Sequence, residues 1–283
     1  MRAIAQRAGL AAGLLAFAGG AEAASITQGA LTVTVRDDNG AIGAVVFNGV
    51  DFFNHGSAVS DWGMSEGLDF QRRTPTGGLG VLPTTTVTLA GAAITVNTTF
   101  NGLGVLREYS IVAGIDALRT TTTVTNNSVT TRTVGLFDAF DPDQGVPGGF
   151  GFGTANDVID IVGPPALQAV QATAPNSMTS FLGGPSAVAG FQDGVIDIAD
   201  AIELGTFLLF PFDPNGLVQD IGYAIAYFLT LPAETSVTVS FNQGFGLTPA
   251  DAAAAFVAAA TNPANQPPPP PVVDVPEPAS LAM

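Results

Sequence analysis

The sequence contains no cysteine and no lysine, and its single histidine is His55. Without cysteine there are no disulfides, no thiol catalysis, no thiolate metal site and no covalent haem attachment. One imidazole and no thiol cannot build a closed tetrahedral zinc site or a two-histidine iron triad. The lack of lysine leaves 8 basic residues, all arginine, against 24 acidic ones, a net charge of −16. A chain of that sign is repelled by phosphate backbones, which argues against nucleic acid as a partner. Charge of either sign is scarce: 11% of residues are charged and 47% are hydrophobic, so the acidity is sprinkled over a Gly/Thr/Ala-rich surface and forms no acidic tail. At 283 residues the chain is long enough to bury a core that needs no disulfide staples.

Long apolar runs are also lacking. Ala8–Gly20 is apolar but too short for a stable span, and Ile221–Leu231 falls well short of the ~20 residues a membrane helix needs. The first of these runs has a different meaning. Arg2 and Arg7 precede it and Ala21-Glu22-Ala23 follows it as a small-x-small cleavage pattern, so residues 1–23 are expected to be a secretory signal peptide cut by signal peptidase before Ala24. At the other end, residues 262–275 are a Pro-rich spacer that cannot continue a helix or enter the middle of a sheet.

The spacer runs into Val275-Pro276-Glu277-Pro278-Ala279-Ser280-Leu281-Ala282-Met283. These last nine residues resemble the PEP-CTERM sorting signal, with Pro276, Glu277 and Pro278 at the motif positions. The resemblance implies that an exosortase recognises and processes the precursor while its tail holds it in the membrane. In that family an apolar helix and an Arg cluster follow; here nothing follows Met283, so residues 276–283 are expected to be a truncated signal without the membrane anchor. The expected location is the cell surface or the extracellular space.

The body, residues 24–261, reads as all-β. Leu31–Arg36 alternates apolar residues with Thr, Asp38-Asn39-Gly40 is a hairpin turn signal, and Ala41–Phe47 is strand-like again. Further strands are expected at Thr84–Leu89, Ala93–Phe100, Val105–Val112, Leu118–Thr125, Thr130–Phe137, Gly205–Phe210, Ile221–Leu231 and Thr235–Phe241. Thr248, Pro249 and Asp251 start a short C-terminal helix over Ala252–Ala260. No fixed-period repeat and no βαβ alternation is present, which leaves a large antiparallel β-sandwich. The stretch Arg107–Val112, Thr121–Ser128 and on to Phe140-Asp141 resembles the galactose-mutarotase type of sandwich, in which a strand ending in Thr-x-Thr-Asn precedes an aromatic-rich partner. That resemblance implies a fold and leaves activity open.

Candidate chemistry is sparse. Gly63-Met64-Ser65-Glu66-Gly67 has the spacing of a nucleophile elbow, but His55 precedes the serine and the context is not α/β, so a Gly-rich loop is the expectation. His55 lies near Asp61, Trp62, Glu66 and Asp69 in sequence, a set that would form a sugar-binding or acid/base patch if it converged. The ordinary alternatives are a surface histidine and a core tryptophan. Asp141-Pro142-Asp143-Gln144-Gly145 places two carboxylates on a tight turn, as the start of a calcium loop does, although the full EF-hand pattern is absent. Asp193, Asp197 and Asp200 form a second acidic cluster with calcium as the candidate ion. For both, turn and capping chemistry is the alternative.

Three functions follow. The first is a non-catalytic secreted or surface protein that takes part in the extracellular matrix or binds polysaccharide. The second is a carbohydrate-active enzyme of mutarotase-like or lyase-like fold, which needs His55 and Glu66 or Asp69 in one cleft. The third is a self-associating structural or adhesive subunit, which calls for uncharged edge strands, with Thr120–Thr125 as the candidate.

Overall fold

The alternation at Leu31–Arg36 becomes a strand whose Leu31, Val33 and Val35 are buried while Thr32 and Thr34 are half-exposed. At its end the Asn39-Gly40 turn closes as expected: Gly40 takes φ +69° and its N–H donates to Arg36 O at 2.8 Å. The computed structural model describes residues 23–52, 60–67, 69–72, 80–82, 86–161, 166–185, 187–193 and 216–262.

These residues form three sheets. The smallest is a meander of β1 (Ala24–Gln28), β2 (Leu31–Val35), β3 (Ile42–Phe47) and β4 (Val50–Asp51). The largest has nine strands. In spatial order they are β17 (Val218–Gln219), β13 (Thr154–Ile161), β14 (Leu167–Thr173), β15 (Thr179–Pro185), β19 (Ser236–Gly246), β11 (Ala117–Thr125), β10 (Leu103–Ile111), β9 (Ala93–Phe100) and β8 (Thr86–Ala90). The third has six: β16 (Val188–Asp193), β18 (Ile221–Leu231), β12 (Arg132–Phe140), β5 (Ser60–Glu66), β6 (Asp69–Arg72) and β7 (Gly80–Val81). All pairings are antiparallel except β6 with β7. One hydrophobic core draws side chains from all three sheets, among them Val33, Trp62, Val105, Leu136, Ile225 and Phe241. The fold is an all-β sandwich with a single α-helix, α1 (Pro249–Thr261), among the described residues. No described helix is long and apolar enough to cross a membrane.

Helix α1 starts where its capping residues place it. Thr248 Oγ1 accepts the Asp251 N–H at 3.2 Å and donates to the Asp251 carboxylate at 2.8 Å. Ala252, Phe256, Ala259 and Ala260 are buried against the sheet, and Gly244 and Gly246 on β19 let the helix backbone approach closely: a Cβ on Gly246 would lie 2.3 Å from Ala252 N.

Several expectations need correction. Thr120–Thr125 is no edge strand. It lies within β11, paired to β10 on one side and β19 on the other, with Thr120 and Thr122 buried. Gly63–Glu66 is the end of strand β5 and Gly67 its turn into β6, so the serine motif sits on a hairpin and neither on a loop nor on a strand-to-helix elbow. Strands β13 to β16 were not foreseen, because Gly, Asn and Gln interrupt the β-branched pattern that marks the others. The expected Gly205–Phe210 strand lies outside the described residues.

The two large sheets are joined by an ion pair. Arg107 on β10 is 1% exposed and Asp138 on β12 is 7% exposed. Arg107 Nη1 donates to Asp138 Oδ2 at 3.0 Å and Nη2 donates to Oδ1, a bidentate pair. Nε donates to Tyr109 Oη at 2.8 Å, and Tyr109 Oη donates to Gly40 O in the turn between β2 and β3 of the smallest sheet. The guanidinium carbon lies 4.8 Å from the Trp62 ring centroid and 5.4 Å from that of Phe241. Burial pushes the Asp138 carboxyl up to about 6 against the pull of Arg107, whereas Arg107, also opposed by burial, is held cationic by Asp138. The bidentate geometry decides for the ionised pair at neutral pH. Arg107→Leu would strand a buried carboxylate and cost about 3–5 kcal/mol in urea unfolding, while Arg107→Leu/Asp138→Leu should recover most of that loss. A double variant as unstable as the single one would mean that the pair is not what couples the sheets.

Candidate functional site

Strand β12 leaves the sheet at Phe140, whose ring stacks on Tyr223 of β18 with centroids 5.5 Å apart. The chain then turns through Asp141-Pro142-Asp143. The β12–β18 pairing ends with Phe140 opposite Tyr223, and Asp220 lies one residue before β18, so this turn and Asp220 flank the same end of the strand pair. Asp143 N–H also donates to Phe52 O at 2.6 Å, which draws in the end of β4. Gln144 anchors the turn from beneath, its Nε2 donating to Ala172 O at 3.0 Å and Met178 O at 3.2 Å.

One carboxylate oxygen from each of Asp141, Asp143 and Asp220 lies within 4.8 Å of the other two. Asp141 and Asp143 are buried, at 4% and 1% exposure, and Asp220 is exposed. Burial, followed by the charge of Asp220, pushes the Asp141 carboxyl up to about 7. Burial together with the charges of Asp141, Asp220 and Asp51 pushes Asp143 up to about 8. An oxygen-only set of this kind suits a hard cation.

A Gly-aromatic loop, Gly148-Gly149-Phe150-Gly151-Phe152-Gly153, follows the acidic turn and leads into β13. Phe150 is 52% exposed and Phe152 41%. The missing side chain of Gly148 lets the Phe150 ring lie against the backbone, since a Cβ there would meet that ring at 2.7 Å. Across the sheet edge stand Leu217 and Val218, also exposed, with Ala155 paired to Val218. Carboxylates and an apolar rim therefore share one end of the sandwich.

The other expected residues are placed differently. Trp62 is buried against Arg107, in the core and not on a ligand platform, because its strand turns that side chain between the sheets. Glu66 and Asp69 do come together: Asn101 Nδ2 donates to Asp69 Oδ2 at 2.7 Å and to Glu66 Oε2 at 3.4 Å. Arg132 Nε donates to Glu66 Oε1 at 2.7 Å, and this guanidinium holds the Glu66 carboxyl below its usual range. Asp61 stands on β5 opposite Ala139, and Asp193 ends β16 opposite Ile221. His55, Asp197, Asp200 and Pro276, Glu277 and Pro278 lie outside the described residues. Asp220, Phe150 and Phe152 were missed. The alternating glycines and phenylalanines were a readable signal, whereas nothing local marks Asp220.

No family model and no curated protein matches this sequence. Solved structures do. A bacterial glucoamylase complexed with acarbose superposes at TM-score 0.56 with 12% identity, over 88% of this chain and 37% of the glucoamylase. A galactose mutarotase related enzyme from Lactobacillus acidophilus matches at TM-score 0.49 and 9% identity, over 81% of this chain and 99% of its own. A polysaccharide lyase matches at TM-score 0.46 and 13% identity, over 80% of this chain and 34% of the lyase. At these identities the likeness is one of fold, and the glucoamylase match shows it.

The raised acids fix a sign for pH. A carboxyl whose pKa rises on folding binds its proton more tightly in the native state, so its contribution is full below the ordinary carboxylate range and is lost as pH climbs through the raised value. In chelator the melting temperature should therefore fall from pH 5 to pH 9, with Asp141, Asp143 and Asp138 all acting in that direction. Asp143→Asn should flatten the slope. A melting temperature that rises with pH would contradict the assignment.

Proposed function

We propose that this chain is an exported, non-catalytic β-sandwich that binds polysaccharide at the cell surface or in the extracellular matrix. The observation that carries the reading is the apolar rim at one end of the sandwich, where Phe150 and Phe152 stand exposed on a glycine loop beside carboxylates. Exposed aromatic faces offer the C–H surface of a pyranose a stacking platform, and neighbouring carboxylates accept its hydroxyls. A bacterial glucoamylase, 37% of which this chain matches, was solved with acarbose, and that likeness of fold is in keeping with a sugar as the partner class. Export is supported by the position of β1, which begins at Ala24, so cleavage after Ala23 would leave every described strand whole. The Pro-rich spacer and the Pro276-Glu277-Pro278 motif follow the described helix in sequence, the order that the PEP-CTERM resemblance implies. A second reading, a carbohydrate-active enzyme, is favoured by the same fold likeness.

Phe150→Ala/Phe152→Ala should weaken binding to a responsive polysaccharide by about tenfold or more, the loss of ~1.4 kcal/mol or more at aromatic anchors. The variant should still unfold cooperatively with only a small drop in melting temperature, because both rings are about half exposed and neither belongs to the core. Affinity electrophoresis across neutral and acidic polysaccharides reads the first effect. Unchanged mobility shifts in the variant would remove the rim from the site. New reducing ends or unsaturated products during incubation would favour the enzyme.

A further inference from the structure

A carboxylate taken out of water needs a counter-charge or a hydrogen-bond donor. At the turn after β12 neither is supplied by the described residues. Asp143 is 1% exposed, and its Oδ1 is fully buried without a hydrogen-bond partner. The described arginine side chains are engaged elsewhere: Arg107 with Asp138, Arg132 with Glu66, Arg119 with Asn242 and the Ala259 carbonyl, and Arg36 with Asp38 at 4.0 Å. Like charges held close together repel one another, yet Asp141 and Asp143, just past the end of β12, and Asp220, just before β18, bring their carboxylates together.

We propose that Asp141, Asp143 and Asp220 form a calcium site, a function independent of whether the neighbouring rim binds glycan. The donors are all hard oxygens, and this cluster offers no imidazole or thiolate, which favours an alkaline-earth ion over zinc or iron. Oxygens bound to one calcium at about 2.3–2.6 Å stand no more than about 4.6–5.2 Å apart, so three oxygens all within 4.8 Å of one another can share one calcium. Three carboxylates from the protein itself suit calcium better than magnesium, which usually keeps its waters and takes only one or two. The exposure of Asp220 leaves the outer side open for water ligands, which calcium needs to complete six to eight oxygens. The buried orphan oxygen of Asp143 supplies the inner side. A bound ion would fasten the exit of β12 to the start of β18, and so hold the turn from which the Gly-aromatic loop departs.

The test uses the full chain, stripped in chelator and compared in calcium, in magnesium and in sodium chloride of matched ionic strength. Calcium at a hundredfold excess over its Kd should raise the melting temperature by about 5–10 °C, and titration calorimetry should count a single calcium per chain. Asp143→Asn and Asp220→Asn should each abolish the shift, and metal-free Asp143→Asn should melt no lower than the metal-free wild type, because a repulsion has been removed. If Asp143→Asn fails to fold, Asp220→Asn decides, since that residue is exposed. No calcium-dependent shift or heat, or a shift that survives Asp220→Asn, would overturn the site. An equal response to magnesium would overturn the choice of ion. Loss of glycan binding by the Phe150→Ala/Phe152→Ala variant with the calcium response retained would separate the two functions.

Discussion

One guanidinium without access to water holds the three sheets in a fixed relation. Arg107 belongs to the nine-stranded sheet, Asp138 and Trp62 to the six-stranded sheet, and Gly40, reached through Tyr109, to the β2–β3 turn of the four-stranded one. Hydrophobic contact alone is non-directional and would tolerate sliding of one sheet over the other. A buried bidentate pair does not, because any shift of register leaves one or both charges unsatisfied. Tyr223 repeats the principle with neutral groups, its hydroxyl bonded to Ser180 at 2.9 Å and Gln243 at 3.1 Å across the same interface. Registry between the layers is thus set by a few polar bonds, and the surrounding apolar side chains fill the space so defined.

That registry carries β12 to its end at Phe140 and delivers the next residues to a fixed place. Asp138 and Asp143 lie five positions apart in the same acidic segment, and both are buried. Asp138 finds Arg107; Asp143 finds only other carboxylates. Among the described residues the two buried cations, Arg107 and Arg119, are both engaged away from this turn. The imbalance concentrates at one end of the sandwich, where strain from like charges and an exposed aromatic loop coincide. Such local conflict with stability is where binding chemistry is to be sought.

Much of the fold was legible locally. The Thr-rich alternation, the Asn39-Gly40 turn and the Thr248 cap each depend on neighbours in sequence, so β2, β3, β9 to β12, β18, β19 and α1 appear close to where they were expected. Strands β13 to β16 were not legible, because their Gly, Asn and Gln residues carry no β signal and are held by pairing to partners already in place. Thr120–Thr125 shows the same limit in reverse: absence of charge was read as an edge, but it marks a strand hidden between two others.

The site divides along the same line. Composition alone determined that a closed zinc site of cysteine and histidine could not be built, and the Asp141–Asp143 turn was visible as a place for oxygen ligands. Only the tertiary structure decided that Asp220 joins them, that Trp62 belongs to the core, and that Glu66 is already engaged by Arg132. The reason is range. Turn chemistry, capping and alternation act between residues a few positions apart, whereas Asp143 and Asp220 meet through the pairing of strands distant in sequence, which no local pattern encodes.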